Sequence, residues 1–416
     1  MKVKLSNLGG SIRALKHRDF LLFFTGQGIS LIGTWMQNIA QPWLVLTLTN
    51  SPFLLGLVVT FQTLPQMIFS LFVGPIVDRF SKKKILIFTQ TSFTILAAIL
   101  GVLTVSSKVE YWHVLVIALL FGFLNTIDMP TRQAYMVELV GKEDLMNGIA
   151  LNSSIFNLAR IIGPAIGGIL IGLVGIGACF FLNAISYLAV IIQLIKISTI
   201  DSHTYANKRL SGLFIDVAEG IKYVLSKEII KITLVLFSIL SIFGMNFSVL
   251  VPVFAQNLLK LNSKGFGMLM TAMGVGSLIG AIFMTLSSSN KPRLTTIIIS
   301  AIGFSIGEVF MLLARNFYLT FVLLMLVGFF MILFTSLSNT TLQLESEDNI
   351  RGRVMSVYSF VFVGVVPIGS LYAGSLSGKL GANLTFGISG LIGLIGTLII
   401  GYILHKKRKL THFPSN

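Results

Sequence analysis

Long apolar runs alternate with short polar segments along nearly the whole chain. Runs of about 20 apolar residues, the length an α-helix needs to cross a hydrocarbon core, start near Phe20, Phe53, Ile85, Trp112, Gly148, Gly177, Ile232, Gly265, Leu294, Phe317, Val354 and Asn383. The pattern predicts twelve spans. Strands of a membrane barrel would be about ten residues of alternating polarity, and no stretch alternates in that way. Composition agrees: with 54% hydrophobic and 11% charged residues, a chain of 416 residues has too little polar surface to cover a soluble globule. The expected fold class is all-α and integral to the membrane.

Charge then gives an orientation. With an even number of spans both ends share one side, and 25 of the 31 Lys and Arg fall on it, from Lys2 and Lys4 to Lys406, Lys407, Arg408 and Lys409. The other side carries five: Lys108, Lys260, Lys264, Arg315 and Lys379. That is the positive-inside pattern, which predicts cytoplasmic termini in a cytoplasmic membrane. The net charge of +16 is thereby explained by topology and anionic lipid, and no nucleic-acid partner is called for. No cleavable leader is expected, because the first apolar run continues without a small-residue cleavage site. Cys179 is the single cysteine, and the five histidines have no ligand spacing, so neither a disulfide, a metal site nor a cofactor is expected.

The longest polar stretch, about residues 198–231, divides the chain into residues 1–197, a cytoplasmic linker with a short surface helix, and residues 232–416. Weak echoes at an offset of a little over 200 residues support two related halves. Asn50-Ser51 recurs as Asn262-Ser263, Glu143-Asp144 as Glu347-Asp348, and Gly163-Pro164 as Val366-Pro367. Between the second and third runs lies the densest charge cluster of the first half, Gly74 to Lys84, with Asp78, Arg79, Lys82, Lys83 and Lys84. It reads as a tight loop. The equivalent acidic position in the second half is Met284.

The two-half plan, the Gly74-x-x-x-Asp78-Arg79 loop and the run Gly163-Pro164-Ala165-Ile166-Gly167-Gly168 resemble the major facilitator superfamily over essentially the whole chain. Arg18-Asp19-Phe20, Gly33-Thr34-Trp35-Met36-Gln37 and Asp128-Met129-Pro130-Thr131-Arg132-Gln133 are similar to its bacterial branch of enterobactin-type siderophore exporters and macrolide-efflux proteins. The resemblance implies two pseudo-symmetric six-helix bundles, with a central cavity lined by spans 1, 4, 7 and 10. It further implies a charge latch built from Gly74, Asp78, Arg79, Lys82, Lys83, Asp128 and Arg132, and an antiporter motif at Gly163, Pro164, Gly167 and Gly168. Ser81 and Ala159 stand where that pattern has glycine.

Residues three and four apart share a helix face. Gln27, Ser30, Thr34, Gln37 or Asn38, and Gln41 form one polar stripe, and Asn125, Asp128 and Arg132 another. Either they bond across packed helices or they line a wet cavity; Asn246 and Asn339 are the candidates from the second half. Asp128 and Arg132 are each costly to bury alone, so they are expected to pair with one another or with the loop cations, and Asp128 is read as part of the latch or as a proton carrier. Arg160 falls near mid-membrane, where an unpaired guanidinium is costly. It serves either as counter-ion to Asp128 or Glu308, or as anchor for an anionic substrate. Glu308 is read as one half of an ion pair, with Arg315, or as a proton site. No P-loop and no nucleophile–base pair occurs, so neither ATP hydrolysis nor enzymatic chemistry is expected. The sequence thus predicts a monomeric secondary exporter of a small amphipathic molecule, its partners being that substrate, protons and the bilayer. The alternatives are a lysolipid flippase and a transport-dead sensor on the same fold.

Overall fold

The computed structural model describes residues 13–198, 213–286, 294–347 and 350–411; within these, the side chains at 71, 74–76, 78, 142, 213–218, 405 and 407–411 lie outside the description. The first half contains α1 (Arg18–Thr49), α2 (Pro52–Arg79), α3 (Lys82–Val105), α4 (Tyr111–Gly141), α5 (Glu143–Leu173) and α6 (Ile176–Lys196). A short amphipathic helix follows, α7 (Leu213–Ser226). The second half contains α8 (Glu228–Leu258), α9 (Ser263–Leu286), α10 (Leu294–Leu313), α11 (Phe317–Glu345), α12 (Arg351–Leu380) and α13 (Ala382–Thr411). No strand occurs among the described residues. Eleven of these helices are long and apolar enough to cross a membrane. The twelfth span is α1, 32 residues long, whose Gln27, Gln37, Asn38 and Gln41 dilute its apolar character. Phe88, Ile95, Ile185 and Ile192 point outward and exposed, as lipid-facing side chains must.

Two boundaries differ from the sequence expectation. The fifth span starts at Glu143 rather than Gly148, because the chain turns at Gly141, whose φ of 74° costs a glycine little, and residues 143–147, three of them polar, are already helix. The presumed loop from Gly74 to Lys84 is mostly helix: α2 runs through Gly74 and Asp78 to Arg79, and α3 starts at Lys82. Ser81 explains the sharp restart. Its side chain caps α3 by accepting from the Lys84 amide at 3.3 Å, a role glycine could not fill.

The halves meet in two matching helix crossings near the end of the molecule away from the termini. In the first, Gly168 of α5 lies against Gly267 of α9, so close that a Cβ at Gly168 would stand 2.7 Å from the Ser263 carbonyl oxygen. In the second, Gly56 of α2 lies against Gly374 of α12, where an added Cβ would stand 2.8 Å from the Pro52 carbonyl oxygen. Hydroxyls stitch both crossings: Thr271 Oγ1 donates to the Ile161 carbonyl at 3.3 Å and Thr60 Oγ1 to the Pro367 carbonyl at 3.2 Å. Each glycine–threonine pair is spaced i, i+4, and the two pairs are related by the same offset of a little over 200 residues that links the sequence echoes. Small residues admit such close approach in a membrane, where packing rather than hydrophobic exclusion holds helices together.

Candidate functional site

A cavity of about 350 Å³ lies inside the first half, walled by side chains from α1 to α6. Gln27, Ser30, Thr34, Gln37 and Asn38 of α1 and Asn125, Asp128 and Arg132 of α4 face it, so the two polar stripes meet across a shared space. Gln41 lies just behind the wall, donating to Gln62 at 3.2 Å. Phe23, Phe93, Phe121, Phe156 and Met136 supply apolar wall between the polar groups.

The polar side chains are tied to one another. Gln27 donates to Asn152 at 2.9 Å, and Asn183 of α6 donates to Gln37 at 2.6 Å and to Tyr187 Oη at 3.2 Å. Asp128, 4% exposed, accepts from Thr89 Oγ1 at 2.5 Å and Gln90 Nε2 at 2.8 Å on one oxygen. Its other oxygen accepts from Arg132 Nε, one helical turn away on α4. A charge pair buried in this way holds its place only when its remaining hydrogen-bonding capacity is met, and α3 meets it.

Asp128 therefore pairs with Arg132 and not with the loop cations. Lys82 instead donates to Glu138 at 2.7 Å, and Lys83 to the Ile197 carbonyl, just past α6, at 2.8 Å. Glu138 thus neutralises an ammonium that sits unfavourably at the N-terminus of α3, while Lys83 meets the negative end of α6. Arg79 is exposed. The Asp78 side chain lies outside the described residues, so its place in the expected latch is undescribed.

The antiporter-type run has two contacts. Gly163 and Gly167 pack on α1, against Ile32, Trp35 and Met36, while Gly168 makes the crossing to α9 and the Pro164 carbonyl faces Gly267. Arg160 follows Phe156 by one turn and Asn152 by two on the same face of α5. Its guanidinium donates to Asn157 Oδ1 at 3.1 Å, and its buried Nε has no hydrogen-bond partner. The expected counter-ion role is not found: Asp128 is held by Arg132, and neither oxygen of Glu308 has a partner. Glu308 is fully buried in α10 and makes no ion pair with Arg315, which is exposed.

The second-half candidates do not reach the cavity. Asn246 is consumed by a break in α8, where its Nδ2 donates to the Ile242 and Phe243 carbonyls at 2.7 and 3.2 Å. Asn339 accepts from Gln343 of its own helix at 2.5 Å. Sequence reasoning missed Gln62, Gln133, Asn152 and Tyr187 in the wall and Glu138 beside Lys82. Asn152 could have been found, since Asn152, Phe156 and Arg160 repeat at i, i+4, i+8; Gln62 stands in α2 among Thr60, Thr63 and Gln66, and nothing in that cluster singles it out.

The sequence profile of the transmembrane secretion effector family matches residues 10–415, nearly the whole chain. The chain belongs to that family of major facilitator superfamily transporters. A staphyloferrin A transporter of Staphylococcus aureus is 26% identical over 409 residues, covering 95% of this chain and 98% of its own. The multidrug efflux pump Tap of Mycolicibacterium fortuitum is 25% identical, covering 87% and 88%. The enterobactin exporter EntS of Shigella boydii is also 25% identical, covering 93% and 91%. Among solved structures the nucleoside transporter NupG superposes with a TM-score of 0.74 at 11% identity, covering 93% of this chain and 99% of its own, a likeness of fold. The resemblance to the drug and siderophore exporter branch is thus confirmed, and with it a membrane transport role for a multi-pass protein.

Proposed function

We propose that the protein exports a small amphipathic molecule across the cytoplasmic membrane by alternating access of its two bundles, in exchange for protons. The observation that carries this reading is the cavity: amides and hydroxyls interleaved with phenylalanine and methionine in the first bundle suit a ligand with both polar and apolar faces. The excess of Lys and Arg on the terminus side supports cytoplasmic termini. With that orientation the two glycine crossings lie towards the external face, which favours access to the cavity from the cytoplasm. Asp128 is the natural coupling group, because a proton taken up there would release Arg132 into the cavity, where a guanidinium can hold an anionic substrate group.

The test is transport by purified protein in proteoliposomes loaded with siderophores, macrolides or lysolipids under an imposed pH gradient. Substrate movement against its gradient, with counter-movement of protons, is expected for at least one of the first two classes. Movement of lysolipids alone would replace the reading with a flippase, and binding without any movement would make the protein a sensor.

A further inference from the structure

The mechanism above uses Asp128 and leaves Glu308 idle, yet Glu308 is the more unusual group. It sits on α10 in the second bundle, fully buried, and neither carboxyl oxygen has a hydrogen-bond partner. One turn before it, Ser305 is also fully buried with an unpartnered hydroxyl. An ionised carboxylate taken out of water without donors or a counter-charge costs many times a hydrogen bond. The surroundings offer no counter-charge, and the Ser305 hydroxyl is the one unpartnered donor beside it among the described residues. Phe304 and Gly244 lie on one flank and Gly390 on the other. The elements packed on α10 carry no charge at that depth among the described residues: Glu228 and Lys231 are at the start of α8, Tyr318 and Glu345 near the ends of α11, and Tyr402 and Lys406 in the last turns of α13. The titratable neighbour is Tyr372 of α12, whose hydroxyl is hydrogen-bonded to Ser389 at 3.3 Å.

The carboxyl is also pressed against a break in the helix it faces. α8 is interrupted at Gly244–Asn246, and a Cβ on Gly244 would stand 2.9 Å from Glu308 Oε2. At this break the amides of Gly244 and Met245 both turn to the Leu240 carbonyl, at 2.8 and 3.0 Å. Beyond it, the piece Phe247–Val253 packs against α1 and α2 of the other bundle.

We infer that Glu308 is a second proton-binding site, separate from the substrate cavity, whose protonation state sets the geometry of the α8 break and through it the contact between bundles. As the neutral acid, Glu308 fits this pocket. On losing its proton it needs more donors than the Ser305 hydroxyl supplies, and the amides of the break it faces, held here by the Leu240 carbonyl, become available only if α8 rearranges, so deprotonation favours a different arrangement of α8. A proton rather than a metal ion is the ligand, because a hard cation takes about six oxygen ligands and only Glu308 and Ser305 offer free side-chain oxygens here.

Infrared spectroscopy of the purified protein tests this without relying on transport. The carbonyl stretch of a protonated carboxylic acid is expected at neutral pH, retained in Asp128→Asn and lost in Glu308→Gln. Hydrogen exchange at residues 243–247 is expected to change with pH in the wild type and to become independent of pH in Glu308→Gln. Absence of the acid band from the wild-type protein overturns the inference without any variant. Its survival in Glu308→Gln, unchanged pH dependence at the break, or a sodium requirement for the exchange change does the same. Because neither readout needs a substrate, failure here is distinct from failure of the export reading.

Discussion

The two bundles share a fold and divide the chemistry. The first surrounds a cavity with carboxamides, hydroxyls and one buried ion pair. The second fills the corresponding interior with rings: Phe237 packs on Phe334, Tyr358 and Phe362, and Phe247 on Phe304 and Phe386. Polar residues that fell at promising positions in the second half are spent within their own helices, Asn246 on the backbone at the break in α8 and Asn339 on Gln343. Symmetry is retained where the bundles touch, in the paired glycine crossings, and lost where a ligand would sit. Contact geometry constrains both halves equally, whereas a binding wall in one half is enough to hold a small molecule.

The sharpest way to break this contrast is to remove the ion pair. Asp128→Ala leaves Arg132 buried without its anion, which should cost about 3–5 kcal/mol and abolish export. Adding Arg132→Gln to Asp128→Asn should recover most of the stability but not the transport. Thermal unfolding of the detergent-purified variants and vesicle export check the two halves of that statement. Equal stability of the single and double variants would show that the pair is not held as described.

Much of this was legible in the sequence. Apolar runs place the spans because a bilayer leaves the backbone no other option, and the α1 and α4 stripes converge because helical spacing puts each on one face. The pairings were not legible. The spacing offered Asp128 either Arg132 or the loop cations, and the choice of Arg132 over Lys82 depends on Glu138 already holding Lys82, a tertiary fact. Asn246 and Asn339 read as cavity residues because no pattern tells a cavity amide from one bonded within its own helix. The crossings at Gly56 and Gly267 were missed for a similar reason: glycine with a hydroxyl residue four on is common in membrane helices, and only the partner backbone reveals which glycine is in use.

A second test addresses the retained symmetry. Gly168→Val places methyl groups where the backbone of α9 stands, with Ser263 O and Gly267 Cα at 2.7 and 3.0 Å from the Cβ alone. Overpacking of this kind costs about 1–3 kcal/mol and should shift the population away from the conformer described here. Gly374→Val should do the same from the other crossing. Gly172→Val is the control, since nothing but Ser263 Oγ at 3.6 Å comes near. Cysteine crosslinking across the α5–α9 contact measures the shift, and identical yields in all three variants would remove the crossings from the conformational cycle.

The division of chemistry can be sharpened with single amides. Gln27→Ala deletes one wall group and its bond to Asn152, about 1 kcal/mol or fivefold in ligand affinity, whereas Asn339→Ala in the second half should leave affinity unchanged. Ligand titrations of the two purified variants decide it. A larger loss from Asn339→Ala would mean that the second bundle contributes to the binding wall in another conformer.

The smallest expected effects come from the terminus-side ends, where the bundles differ again. Lys82 and Glu138 are each 15% exposed at the side chain, so water and salt reach them little. The second bundle holds α7 through Arg353–Glu219 and Lys227–Glu347, with side chains 36% to 59% exposed, and Tyr223 adds a bond to Glu347 at 3.3 Å. Exposed pairs are screened within about 8 Å at physiological salt. Raising salt should therefore increase hydrogen exchange in α7 while leaving the start of α3 protected. The bond from Lys227 to Glu347 also lifts the lysine ammonium above its ordinary range. A raised lysine contributes fully below that ordinary range and loses its contribution as pH rises through the folded value. The α7 contact should accordingly be indifferent to pH near neutrality and loosen only in strongly alkaline solution, with Glu347→Gln removing that alkaline transition. A loosening of α7 between pH 6 and 8, or loss of α3 protection in high salt before α7 responds, would invert the ranking of the two ends.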